Sequence, residues 1–231
     1  MIISRKLSLF TIVLLLSTFT LSAQTSSVAK GETSDPKAKA LLDKVKTLYQ
    51  GFQTLESNFS LSLKLAEQTK EEVQKGKIYQ SGDKYRVEMN NNQLILSDGK
   101  ILWHKIANTV RVTNATSKNT SDLLSPKDLM TIYEKKDYIF AIYGEAADGW
   151  SKKATIITFK PMNKKSEYSQ IRVAIDQKSN NVASITAFGK DQSRYKLSLE
   201  QPLTNKKYPT EFFVFEKAKF PNVKIEDLRI D

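Results

Sequence analysis

Cysteine is absent from the 231 residues. That excludes a disulfide framework, a thiolate zinc site and a lipidated cysteine anchor, so a hydrophobic core has to supply the stability. Histidine occurs once, at His104, which gives a serine hydrolase a single candidate base, and no G-x-S-x-G elbow offers a nucleophile. Glycine is sparse, with 8 residues scattered along the chain and no phosphate-cradling loop among them. Carboxylates are the remaining route to chemistry. The run Asp176-Gln177-Lys178-Ser179-Asn180-Asn181 carries a lysine and lacks the central glycine and closing acid of a calcium loop, so it reads as a hairpin turn. Glu88, Asp98 and Asp128 could pair for glycoside hydrolysis, yet each has a structural explanation. Glu88 faces away from an apolar stripe, Asp98 precedes Gly99 where a tight turn favours Asp-Gly, and Asp128 sits where a helix start favours an acid. No catalytic residue, metal site or cofactor is expected.

A long apolar run occurs in one place only. Arg5 and Lys6 precede the apolar stretch 7–21, which ends at Ser22-Ala23 and reads as a cleaved secretory signal over residues 1–23. No other stretch approaches the roughly 20 apolar residues of a membrane-spanning helix. Loss of Arg5 and Lys6, in a segment without acids, takes the formal charge from +11 to +9. A cationic surface of that size favours anionic partners such as phospholipid headgroups, lipopolysaccharide or an acidic protein face, and outside the cytoplasm nucleic acid is not expected.

What the chain does contain is strand patterning. Residues 24–34 are polar and rich in Ser and Thr, a flexible leader; residues 35–231 show no internal repeat or linker and read as a single domain. Asp35-Pro36 supplies an N-cap and a proline at the first helical position ahead of a helical stripe of Ala38, Leu41, Leu42, Val45, Leu48, Tyr49 and Phe52. Beyond it, apolar and polar residues alternate at Phe59, Leu61, Leu63 and Leu65, at Tyr85, Val87 and Met89, at Ile171, Val173 and Ile175, and at Tyr195, Leu197 and Leu199. Further strands are expected at 76–80, 93–97, 100–106, 109–113, 137–143, 154–159, 182–188 and 210–216, in one antiparallel meander. Ser125-Pro126 and Asp128 predict a second amphipathic helix over 126–135, carrying Leu129, Met130, Ile132 and Tyr133. The fold class is therefore mainly β with α: a strongly curved antiparallel sheet with helices across its concave face, its interior either filled by side chains or open as a cavity.

The stretch Ser97-Asp98-Gly99-Lys100-Ile101-Leu102-Trp103 resembles the S-D-G-K-x-L-W hairpin of the LolA family of periplasmic outer-membrane lipoprotein carriers. The resemblance continues in the family's order through residues 43–59, Gly76-Lys77-Ile78-Tyr79, Tyr85-Arg86-Val87-Glu88, Leu124-Ser125-Pro126 to Met130, the strand ending at Pro161, residues 171–185, and the close from Phe213 to Asp227. It departs where family members carry an arginine before a proline that holds a helical lid shut: this chain has Ser81-Gly82-Asp83. Arg86 does not replace that arginine, because its parity opposes Tyr85 and Val87.

Membership would imply a half-closed antiparallel β-barrel with a helical lid over a hydrophobic cavity. In it, a periplasmic monomer carries the acyl chains of lipoproteins. The implied partners are acylated lipoproteins, an inner-membrane ATP-driven release complex and an outer-membrane acceptor or the outer membrane surface. An acyl chain of about 15 methylenes costs on the order of 12 kcal/mol to expose to water, which is why a carrier is needed. The expected lining is Phe59, Leu61, Leu63, Leu65, Tyr85, Val87, Met89 and Trp103, with Leu129, Met130, Ile132 and Tyr133 on the lid and His104 incidental. Other readings of the same half-barrel are a sensor of envelope stress and a carrier of another lipid or amphiphile. The family's outer-membrane acceptor is itself a lipoprotein, a role that the missing cysteine opposes.

Overall fold

The computed structural model describes residues 33–115, 133–134 and 137–229. The expected signal, nearly all of the leader and most of the second helix, including Leu129, Met130 and Ile132, lie outside the described residues; Tyr133 and Glu134 are described, in a turn.

Helix α1 spans Pro36–Gln50. Its start is as the sequence predicts: the Asp35 carboxylate accepts the Lys37 N–H at 2.7 Å, with Pro36 at the first helical position, where no N–H needs a partner. Ala38, Leu42 and Val45 are buried and Leu41 and Tyr49 pack beside them, a stripe at helical spacing that faces the sheet. Full burial of Leu42 or Val45 is worth roughly 1.5–3 kcal/mol.

Thirteen strands follow among the described residues: β1 (Leu55–Lys64), β2 (Glu72–Ser81), β3 (Lys84–Met89), β4 (Leu94–Ser97), β5 (Ile101–Ile106), β6 (Thr109–Asn114), β7 (Tyr138–Asp148), β8 (Ser151–Pro161), β9 (Tyr168–Asp176), β10 (Val182–Gly189), β11 (Arg194–Leu199), β12 (Leu203–Thr204) and β13 (Lys224–Asp227). They make one large, curved, unclosed sheet in the order β13-β6-β5-β4-β3-β2-β1-β11-β10-β9-β8-β7, with β12 paired to β1. The expected single meander is thus two. One runs outward from β1 to β6, the other returns from β7 to β11, and the ladder of β1 with β11 joins them. Alternating hydrophobicity specifies strands and faces but not which distant strands pair, so that join was not legible locally.

The Asp98-Gly99 hairpin behaves as its sequence predicts. Asp98 Oδ1 accepts the N–H groups of Lys100 and Ile101 at 2.8 and 2.7 Å, and Gly99 adopts φ +92°, a conformation that side chains resist. The 176–181 segment is likewise a hairpin turn, with Asp176 Oδ1 accepting the Ser179 N–H and hydroxyl at 2.7 Å and Oδ2 the Ser151 hydroxyl at 2.7 Å.

The expected strand at 210–216 is absent. Thr210–Phe213 is a turn of 3-10 helix instead, followed by a second at Lys217–Lys219, and the closing strand is β13, which pairs parallel to β6. Adjacent apolar residues such as Phe212 and Phe213 cannot both bury on one face of a strand, whereas a tight helical turn can direct both toward the sheet. This C-terminal strap lies on the convex face. Tyr208 and Lys206 bind the buried Glu56, Phe212 packs edge-on to Tyr79 at 4.9 Å between centroids, and the Arg86 guanidinium donates to the Phe212 carbonyl at 3.1 Å while covering its ring.

Both sheet edges are blunted. At β7 the Asp35 N–H donates to the Phe140 carbonyl at 2.8 Å and Phe140 N–H donates to Ser34 Oγ at 3.3 Å, so the residues entering α1 occupy part of the free edge. At the other edge β13 is short and charged.

Candidate functional site

Strand register sorts the side chains into two faces. Ser57, Ile78, Val87, Ile95, His104 and Arg111 oppose one another in a row across β1 to β6, and Glu56, Tyr79, Arg86, Leu96, Trp103 and Val112 form the neighbouring row on the other face. The first face is concave and carries the main core. Under α1 it is filled: Phe140, Ile157, Phe159, Ile171, Val173 and Ile175 pack with Leu42 and Val45. Toward β1 the same core continues.

There, Phe59, Leu61, Ile78, Val87, Met89, Leu197 and Leu199 line a cleft with no polar side chain among them. Gly76 lets the wall close up: a Cβ there would lie 2.3 Å from the Glu88 carbonyl oxygen and 2.6 Å from the Phe59 ring, so only glycine admits that ring against β2. A second recess of ≈ 160 Å³ opens on the same face at the end of α1, between Tyr49, Phe52, Leu55 and Gln80. The Tyr49 hydroxyl accepts the Val182 N–H at 3.2 Å, and burial pushes its pKa up to about 12, so it stays a neutral hydrogen-bonding group.

Of the expected lining, Phe59, Leu61, Val87 and Met89 come together in this cleft. Tyr85 packs against the same core, opposite Gln80. Leu63 shares the face, opposite Tyr195, farther along β1. Leu65 does not belong: β1 ends at Lys64, and Leu65 is 37% exposed beyond it. Trp103 does not belong either, because its partner is Leu96, on the convex face. The residue that the hairpin directs to the concave side is His104, opposite Ile95. Sequence reasoning left Ile78, Leu197 and Leu199 out of the set; their period-two spacing was visible, but their meeting depends on the β1–β11 ladder.

Tyr133 is buried against Phe140, 6.1 Å between ring centroids, and its hydroxyl donates to Asp43 Oδ1 at 2.9 Å. Lys46 pairs with the neighbouring Glu134. The chain before β7 is therefore tied to α1 on the concave side. Burial and the Asp43 carboxylate both push the Tyr133 pKa up, and the Lys39 and Tyr133 hydrogen bonds hold Asp43 below its usual range.

The cleft as it stands is nearly closed. Its free volume of ≈ 20 Å³ is room for about one water. Among the described residues this part of the concave face is a narrow seam, and a hydrocarbon chain enters it only if its walls part. Half-buried Leu61 and Met89 suit such a wall, since flexible aliphatic side chains contact hydrocarbon through dispersion with little geometric demand. Among the described residues no cluster of metal-binding side chains occurs.

Three solved structures are similar to this chain. An uncharacterized conserved protein from Thermus thermophilus matches at 9% identity and a TM-score of 0.51, covering 84% of this chain and 99% of the other. A LolA superfamily protein from Nitrosomonas europaea matches at 10% identity and TM-score 0.42 over 77% of this chain and 97% of its own. The Mycobacterium tuberculosis lipoprotein LppX matches at 13% identity and TM-score 0.46 over 77% and 100%. No match arises among curated protein sequences. The family model "Outer membrane lipoprotein carrier protein LolA" matches residues 50–216, which take in every wall of the cleft. With most of its length matched by that model and its curved, unclosed sheet, the chain belongs to the LolA family.

Proposed function

We propose that this protein is a periplasmic carrier that shields the acyl chains of lipoproteins in the cleft between β1, β2, β3 and β11 and moves them from the inner to the outer membrane. The observation that carries the reading is the all-apolar seam, set beside a fully packed core on the same face. Its walls include the partly buried, flexible Leu61 and Met89, which can part to admit hydrocarbon where the rigid aromatic core beside them cannot. In this reading residues 1–23 direct export and are removed. A release complex at the inner membrane loads the carrier, and an acceptor or the outer membrane surface unloads it.

Leu61→Glu tests this. Leu61 is half-buried, so the variant keeps its fold, yet it places a carboxylate against incoming methylenes that would have to be desolvated with it. Binding of a fluorescent fatty acid should weaken about 100-fold, a loss of roughly 2.8 kcal/mol. Acylated lipoprotein, found by mass spectrometry with the parent isolated from its periplasm, should vanish. Trp103→Phe, on the opposite face, should change binding less than twofold. Unchanged binding in Leu61→Glu, or equal losses in both variants, would remove the cleft from consideration.

A further inference from the structure

The row of the concave face that begins in the apolar cleft ends in a polar pocket. Val87 is followed across the strands by Ile95, His104 and Arg111, and Glu226 of β13 lies opposite Arg111. His104, Ile106, Thr109, Arg111 and Glu226 line a recess of ≈ 190 Å³. Two features there lack a structural purpose. His104 Nε2 is buried with no hydrogen-bond partner among the described residues, an arrangement that destabilises the fold unless something else supplies the partner. Arg111 is held loosely, its Nε 3.5 Å from Glu226 Oε2, while Lys224 Nζ sits 3.3 Å from Glu226 Oε1. Glu226 therefore keeps a cation if Arg111 turns to another anion.

The spacing fits one molecule. From β1 to β6 there are five interstrand steps of about 4.8 Å, roughly 24 Å before curvature shortens the path. A single lipid, half of a bilayer roughly 40–45 Å thick, is about 20–22 Å long. Hydrocarbon in the cleft thus leaves a polar end at His104 and Arg111. Such an end supplies the acceptor that the buried imidazole lacks and the anionic oxygen that a guanidinium binds in a fork.

We infer that His104 and Arg111 form a headgroup subsite for a phosphate-bearing lipid whose acyl chains occupy the apolar cleft. The inference rests on the reading of that cleft as an acyl site and adds phospholipids to its cargo. Glu226 and Lys224 are the other charged groups facing the pair. Burial first, and the Arg111 charge second, hold the His104 pKa below its ordinary value, so the free protein carries a neutral imidazole near pH 7. A bound phosphate monoanion reverses the balance and raises that pKa.

Because the chain has one histidine, its imidazole gives a single NMR signal to titrate. Three probes, each below its aggregation concentration, separate the possibilities: a 14-carbon lysophosphatidylglycerol, the uncharged monoacylglycerol of equal chain length, and glycerol phosphate. The lysophospholipid should bind at least tenfold more tightly than the monoacylglycerol and raise the His104 pKa, and glycerol phosphate should do neither. Arg111→Gln, at an exposed position, should weaken the lysophospholipid about 10–100-fold and leave the monoacylglycerol unchanged, and His104→Gln should weaken it less. Equal binding of the two lipids with no effect of Arg111→Gln would overturn the subsite and leave the acyl site standing. Equal binding of glycerol phosphate would overturn the link to the cleft. Failure of both lipids to bind would overturn the acyl reading itself.

Discussion

Acidification from about pH 5 to pH 2 should undock the C-terminal strap, and Glu56→Gln should remove most of that pH dependence. The Glu56 side chain is 6% exposed and bound on three sides, by Lys77, by Lys206 Nζ at 3.0 Å and by the Tyr208 hydroxyl. The Lys77 ammonium most of all, then the Tyr208 hydroxyl, pulls the carboxyl from 4.5 to about 2. A depressed folded-state pKa means that the carboxylate binds protons less readily in the folded chain than in the unfolded one. Its contribution is present in full above about pH 4.5 and lost as pH falls through about 2. The shift corresponds to about 3 kcal/mol, nearer 2 after allowance for solvent screening at the two partly exposed lysines. Urea unfolding at pH 7 and pH 2.5, with limited proteolysis near residues 205–220, measures it. The parent should lose more stability than Glu56→Gln over that interval, and its strap should become cleavable first. Equal losses would show that the ion cluster contributes nothing to docking.

Phe159→Ala should cost about 3–5 kcal/mol and lower the midpoint of thermal unfolding by roughly 10 °C, while leaving fatty-acid binding intact. Phe159 is 1% exposed, tilted against Phe140 at 5.6 Å and edge-on to Tyr138 at 6.4 Å, under the apolar stripe of α1. Truncation opens a hole that these rigid rings cannot collapse to fill. None of the three residues borders the cleft, so a large stability loss with unchanged binding would separate the packed half of the concave face from the receptive half. A loss below about 1 kcal/mol, or a parallel loss of binding, would contradict that separation.

Much of this was legible in the chain. The helix start at Asp35-Pro36 and the turn at Asp98-Gly99 are local chemistry, and both stand as read. Four residues of the cleft followed from parity, because their strands alternate cleanly. Parity failed at Ile101-Leu102-Trp103, where consecutive apolar residues mark a strand covered on both faces: Leu102 is buried on one, and the strap lies across the other, which holds Trp103. Two-sided burial erases the alternation that would tell the faces apart. The strap itself reads as a strand because its aromatics are dense, and only tertiary packing shows that they serve as a convex-side cover. Leu65 was lost to a boundary of one residue, since the alternation persists past the last ladder bond at Lys64.

The joining ladder also governs how the molecule assembles in time. Phe59 and Leu199, its first pair, are about 140 residues apart in the chain, whereas most of the other ladders are closed by a short turn. The two hairpin series can form as their segments emerge, but the seam between them waits until β11 has been made and has found β1. Two of the seven residues of the cleft, Leu197 and Leu199, sit on that last-arriving strand. The cleft is therefore complete only once β11 has paired with β1, and in the carrier reading a partial chain ending before β11 should bind no acyl chain.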